Sequence, residues 1–395
     1  MMEIIKVGNK RLARKFMDVP HFIYKDDKNW ICPLDTIIES IFDPKKNASY
    51  INGEAERWIL LDSNKNLIGR VAAFYNDDKA NKYNPPTGGL GFFECNNDQK
   101  AANLLFDTAK SWLESKGMGA MDGPINFGEN DNFWGLLVEG FSAPALGMNY
   151  NPPYYKDLFE GYGFKPFFEQ ESRHLNLERP FPERFWKIAE WVMRKPGYSF
   201  EHIRKNNIEK YVRDIVKIHN QAWVFHEHYT PLTFEKVLMS FNYARQIIRE
   251  DFIWFAYHRG EPIAFLVMFP DMNQVFRLFK GKLTLWNKLR FLLLKRSKLV
   301  NRSRVTIMGV IPRYQGIGIE SAVFWHMQKP LMETGVKFKE LEISWVGDFN
   351  PKMKATMNAM GAGPGKIHIT YRKLFVEHVE FKEAIKIPEM KEKQG

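Results

Sequence analysis

The chain has 395 residues, 45% of them hydrophobic and 15% aromatic, which excludes a disordered or fibrous protein and supplies enough apolar material for two cores. Its formal net charge is +11, and Cys32 and Cys95 are its two cysteines, which excludes a disulfide framework and points to a reducing compartment. No apolar run approaches the roughly 20 residues that span a bilayer, and charge interrupts the opening MMEIIKVGNK, so a soluble cytoplasmic protein without a secretory signal or transmembrane segment is expected.

In chain order, Met2 to Val7 reads as a strand, followed by a basic helix and a proline-broken aromatic loop through Tyr24, Trp30 and Pro33. Trp58 to Asp62 and Leu67 to Tyr75 flank the turn Ser63-Asn64-Lys65-Asn66 and predict a hairpin. Gly88 to Cys95 is a further strand. Asp98 then caps a helix from about Gln99 to Lys116, with Ala102, Leu105, Ala109, Trp112 and Leu113 on one face and Gly117 as its stop. The loop GPINFGENDNFWG that follows is either a cover for a cleft or simple packing, and YNPPYYKDLFEGYGF closes the half.

A proline-flanked helix, Pro182 to Arg194, ends at Pro196-Gly197 and marks a domain boundary. Beyond it the pattern predicts a strand (Tyr198 to Arg204), two helices (Ile208 to Trp223 and Phe234 to Ile248) and a hairpin around Arg259-Gly260. Val305 to Val310 is a β-branched apolar run, Pro312 to Gly318 a tight turn, and Glu320 to Met327 begins a helix. A strand Leu341 to Val346, a helix from about Lys352 to Met360 and a last strand Ile367 to Leu374 complete the half, and a charged tail follows from Glu377.

The strand–turn–helix unit around Pro312 has a physical use. Gly316 and Gly318 let backbone approach a ligand without a Cβ in the way, the first N–H groups of the next helix lack partners inside it, and Arg313 adds charge. Together they describe a nest for a diphosphate. Arg313-Tyr314-Gln315-Gly316-Ile317-Gly318 resembles the R/Q-x-x-G-x-G/A signature of the GNAT (GCN5-related N-acetyltransferase) superfamily, which holds the diphosphate of acetyl-CoA in that loop. The order of elements in the second half matches GNAT topology, and Trp58 with Trp254, and Gly163 with Gly361, stand at corresponding points of two copies. Gly123-Pro124, Gly140-Phe141, Tyr150 to Tyr155 and Ser344-Trp345 also resemble phrases of an uncharacterised tandem-GNAT group over nearly the full length.

The expected fold class is therefore α+β (mixed α/β), two tandem GNAT-like domains, each a mixed, mostly antiparallel twisted sheet flanked by helices. Residues 1–180 form a degenerate domain, 181–197 a linker helix and 198–376 the domain with the acyl-CoA site, carrying a basic insertion at 272–304; 377–395 is tail. In the first half the equivalent turn, Phe93 to Asp98, has no glycine and brings Glu94 and Asp98, which disfavours a diphosphate there.

The resemblance implies acetyl-CoA or another acyl-CoA as cosubstrate, no metal, and direct N-acylation of an unidentified amine or other small-molecule acceptor. It places the pantetheine arm along Met308, Gly309 and Val310, the diphosphate on Arg313, Tyr314, Gln315, Gly316, Ile317, Gly318 and Ile319, and a cofactor contact at Asn350, which read alone is an N-cap. The tyrosine that many GNATs use as general acid is replaced by Met357, and by Phe159 in the first half. Glu342 on the fifth strand and Tyr371 on the last are the remaining candidates for proton transfer. His226, His228, Tyr229 and Trp345 are candidate acceptor contacts. Two alternatives stay open: an aminoacyl-tRNA-dependent peptidyltransferase of the Fem type, and a non-catalytic acyl-CoA sensor.

Met272 to Arg304 holds ten basic residues and no acidic one, so the rest of the chain is nearly neutral. Leu285, Trp286, Leu289, Leu292 and Leu293 at helical spacing predict an amphipathic basic helix. Its apolar face is expected to pack on the first domain; a lid over the cleft, peripheral contact with anionic lipid and, less favoured, nucleic-acid binding are the other uses.

Overall fold

Residues 1–129, 132–179, 181–224, 231–333, 338–347, 350–376 and 379–384 are described by the computed structural model. The first half runs β1 (Glu3–Lys6), α1 (Lys10–Ile23), α2 (Asp35–Ile41), β2 (Gly53–Leu61), β3 (Leu67–Asn76), α3 (Asp77–Ala80), β4 (Thr87–Cys95), α4 (Gln99–Ser115), β5 (Ala120–Gly123), β6 (Leu136–Glu139), α5 (Tyr155–Tyr162) and β7 (Lys165–Asn176). The second runs α6 (Glu183–Met193), β8 (Tyr198–His202), α7 (Ile208–Ala222), α8 (Phe234–Ala244), β9 (Ile253–His258), β10 (Glu261–Pro270), α9 (Asn273–Phe276), α10 (Leu285–Leu294), β11 (Arg302–Val310), α11 (Ile319–Glu333), β12 (Glu340–Gly347), α12 (Pro351–Ala359) and β13 (Gly363–Leu374).

Local chemistry accounts for the element ends. Asp98 accepts the N–H groups of Lys100 and Ala101 and starts α4; Asn350 accepts that of Met353 and starts α12. Helices α5 and α12 both stop at a left-handed glycine, Gly163 (φ +90°) and Gly361 (φ +76°), immediately before the last strand of each half. Trp58 on β2 meets Trp112 of α4, and Trp254 on β9 meets His326 of α11. Both internal correspondences of the sequence thus fall on corresponding elements, as a duplicated fold requires.

Two compact units result. Unit 1 takes residues 1–171, 276–290 and 366–384; unit 2 takes 172–275 and 291–365 of the described chain. In unit 1 the strands run β1-β2-β3-β4-β5-β13, with β6 also on β13 and the first part of β7 beyond it. Among the described residues β4 pairs with β5 in parallel, while β1–β2, β2–β3, β3–β4, β5–β13 and β6–β13 are antiparallel. The core lies between this sheet and α4 and α5, where Leu105, Phe106, Phe159 and Tyr371 are buried; each such side chain contributes about 1.5–3 kcal/mol.

The last strand was expected to complete the second half's own sheet. Instead β13 pairs with β5, Tyr371 opposite Gly123 and Arg372 opposite Asp122. A buried fork sets that register: Arg372 Nε and Nη2 donate to Asp122 Oδ1 and Oδ2 at 2.6 and 2.8 Å, with Phe167 under the guanidinium at 3.6 Å. In unit 2 the end of β7 lies beside β12, followed by β11, β10, β9 and β8. Helices α7 and α8 cover one face through Tyr211, Ile215, Ile218 and Phe241. Helix α6, expected as a linker, packs in unit 2 against α11, with Phe185 edge-on to Phe324.

Candidate functional site

The site grows from the way β11 and β12 part. Their parallel ladder covers four pairs, from Arg302 opposite Glu340 to Val305 opposite Ile343, and then ends although both strands continue. A bulge marks the point: β10 shifts register against β11 between Val267 and Met268, leaving Thr306 as the extra residue. A bulge bends its strand and sharpens its twist. Beyond it, among the described residues, β11 stays paired with β10, through Leu266 opposite Met308 and Ala264 opposite Val310. Thr306, Ile307 and Met308 are only part-buried, as are Ser344 and Trp345 across the split. Beyond Val305 and Ile343 the two strands are no longer paired in the ladder.

Gly309 sits in that opening with its α-carbon turned to α7: a Cβ there would come within 2.8 Å of both Phe265 and the ring of Trp223. Trp223 in turn stacks on His219, centroids 4.5 Å apart, and burial holds the His219 pKa below its ordinary value. Neither residue was singled out from sequence. The signal was available in part, since His219 and Trp223 stand four apart at the end of a strongly amphipathic helix.

At the far end of β11 the turn is tied on both sides. Gln315 donates to the carbonyl of Val310 at 2.9 Å, and the Tyr314 hydroxyl lies 3.0 Å from His258 Nδ1. Between those ties and the helix the loop is open. Gly316 has φ +75° and nothing within 4 Å of where a Cβ would be, and Ile317 is exposed beside it. Gly318, at φ +91°, has the other use of glycine: a Cβ would meet Ile188 of α6 at 2.5 Å. Arg313 is exposed, its guanidinium over the Tyr314 ring at 4.9 Å, and Ile319 is buried in the core.

One group in this nest was missed by sequence reading. The Glu320 carboxylate accepts the N–H groups of Gly316 and of its own residue; burial raises its pKa, while those two donors pull the other way. A diphosphate on the loop must therefore meet Glu320 protonated or turned aside. Apart from this, the residues present fit a diphosphate: an open glycine, a helix start and an exposed arginine.

The other expected residues are distributed as follows. Asn350 spends its side-chain oxygen on the N–H of Met353, 3.2 Å away. Glu342 is buried in the paired part of the ladder, with Ser172 donating to it at 3.4 Å and Arg302 near enough to interact electrostatically. Tyr371 belongs to unit 1, where it is buried with its hydroxyl donating to Glu160 at 2.9 Å. Met357 and Phe159 are both buried. His226, His228 and Tyr229 lie outside the described residues.

No family model matches the chain. It is 25% identical over 369 residues to the protein YghO of Escherichia coli (strain K12), covering 92% of this chain and 93% of that protein. It is also 25% identical over 384 residues to the bacterial ceramide synthase of Caulobacter vibrioides, covering 94% and 97%. Among solved structures it resembles a tandem GNAT protein from the clavulanic acid biosynthesis pathway, with a TM-score of 0.59 and 10% identity over 96% of this chain and 100% of that one.

Proposed function

We propose, from the premise that the chain has the tandem GNAT fold, that unit 2 binds a fatty acyl-CoA and transfers its acyl group to the nitrogen of a long-chain amine. The carrying observation is the ladder that ends at Val305 and Ile343 while both strands run on, which leaves the β11 edge beyond Val305 without a β12 partner among the described residues, where an extended ligand would pair. The loop from Arg313 to Gly318 would hold the diphosphate, and Trp223 would bound the pantetheine path beside Gly309. The lipid assignment is supported by the relative named a ceramide synthase, since a ceramide is the amide of a fatty acid and a sphingoid amine.

A thioester supplies an activated acyl carbon: the amine nitrogen forms the new C–N bond as the C–S bond breaks, and the thiolate gains a proton as the amine loses one. The contribution assigned to this chain is placement. Holding donor and acceptor in one opening removes much of the entropic cost of their encounter. Met357, in place of the family's tyrosine, cannot donate a proton, and the proposal gives Tyr371, held by Glu160 in unit 1, no part in the transfer.

Calorimetry with acetyl-CoA and palmitoyl-CoA tests the reading. Gly316→Val should weaken binding at least about 100-fold, about 2.7 kcal/mol, by filling the nest, while the left-handed backbone costs about 1–2 kcal/mol of stability. Unchanged affinity in a folded variant overturns the site. Binding without turnover of a sphingoid amine favours the sensor, and salt-sensitive tRNA binding favours peptidyl transfer.

A further inference from the structure

Helix α10 is mounted the reverse of a packing helix. At about 100° per residue, Leu285, Trp286, Leu289, Leu292 and Leu293 fall within an arc of about 120°, and each of the five is between 48% and 85% exposed. The less exposed side carries Asn287, Arg290, Phe291 and Leu294, and no residue of the helix is buried. The expected packing of the apolar face is thereby overturned.

The helix has a local cap at its start, and the chain on each side of it is tied down. Thr284 Oγ1 accepts the N–H of Asn287 at 3.2 Å, and the carbonyl of Gly281 accepts that of Asp35 at 2.8 Å. After the helix, Gln274 Oε1 accepts the N–H groups of Asn301 and Arg302 at 3.0 Å, and Arg302 Nε and Nη2 both donate to the buried Asp271 Oδ2 at 2.8 and 2.6 Å. An outward apolar stripe on a segment whose flanks are tied down belongs to the fold, and a stripe of this kind marks an interaction surface.

We propose that α10 lies in the surface of an anionic bilayer, its leucines and Trp286 at the boundary between headgroups and acyl chains. The charge selects this occupant: Lys282, Lys288, Arg296 and Lys298 are exposed around the stripe, within a stretch of ten basic and no acidic residues. A second copy would bring two such cationic faces together and is repelled. A nucleic acid would meet leucines that neither stack on bases nor bond to phosphate. The inference stands whether or not the acyl-CoA reading holds; where both hold, α10 brings the enzyme to the phase in which a long-chain amine resides.

Co-flotation of the full chain with phosphatidylcholine vesicles, with and without about one third phosphatidylglycerol, tests this. Binding should be at least about tenfold stronger on the anionic vesicles and fall with salt. The double variant Leu289→Asp, Leu293→Asp should lose about tenfold or more with an unchanged melting temperature, since both side chains are exposed. Lys288→Glu with Arg296→Glu should lose the preference for anionic lipid. Absence of flotation, equal binding to both vesicles, RNA shifted in a gel without flotation, or a concentration-dependent dimer abolished by the aspartates would each overturn the proposal.

Discussion

The two units build the same strand–turn–helix joint and treat it in opposite ways. In unit 1, β4 leaves β5 after three pairs, and the bulge at Phe92, with φ +50°, lies just beyond. There the space is filled from within. Ile125 donates its N–H to the carbonyl of Leu90, and a Cβ on Gly91 would lie 2.0 Å from the Ile125 carbonyl. The turn itself is saturated: Cys95 N–H goes to the Tyr155 hydroxyl, Asn96 N–H to Ile68, and Asp98 takes two donors of α4. Glu94 is buried there, taking Tyr24, Tyr155 and Arg70; burial raises its pKa against the pull of Arg70. In unit 2 the split strands stay part-exposed and no atom fills the space beside Gly316, although Glu320 takes its N–H. Both units keep the splay, and they differ in the side chains that surround the turn.

The largest expected effect tests unit 1 as a frame. Asp122→Ala leaves Arg372 buried without its carboxylate and should cost about 3–5 kcal/mol in denaturant unfolding. A loss below about 1 kcal/mol breaks the view that this pair fixes β13. Next comes Glu320. As pH falls through its raised pKa the carboxylate gains a proton and its repulsion of a diphosphate fades, so wild-type affinity for acyl-CoA should rise toward lower pH. Glu320→Gln should bind about 3- to 10-fold tighter near neutrality, by a single-charge estimate, and its pH dependence measured by calorimetry should be flatter than wild type. Equal slopes for the two proteins would put Glu320 outside the ligand's reach. The smallest effect sharpens the contrast: Asp98→Ala removes the α4 cap for about 1 kcal/mol and should leave acyl-CoA affinity unchanged, whereas any loss of affinity would place a ligand in unit 1.

Much of the fold was legible because it is written locally. The hairpins, the Asp98 cap, the glycine stops and the strand–glycine–helix joint each depend on residues within a few positions of one another. The site was legible only as a backbone. The Arg313 to Gly318 loop stood out by spacing, while Glu320, the second residue of α11, was read only as the start of a helix. Trp223 lies against Gly309, 86 residues away in the chain, by folding alone.

The sequence by itself determined two copies of one architecture, the open glycine turn in the second, and the segment that carries the excess charge, since periodicity, turn chemistry and composition need no partner. Only the tertiary structure decided that the last strand serves unit 1, that a carboxylate occupies the nest, and that α10 faces outward. An alternating strand fits any sheet with a free edge, and its choice was made by Arg372 and Asp122, 250 residues apart. An amphipathic helix likewise has a stripe in any context; which way it points is decided by the rest of the fold.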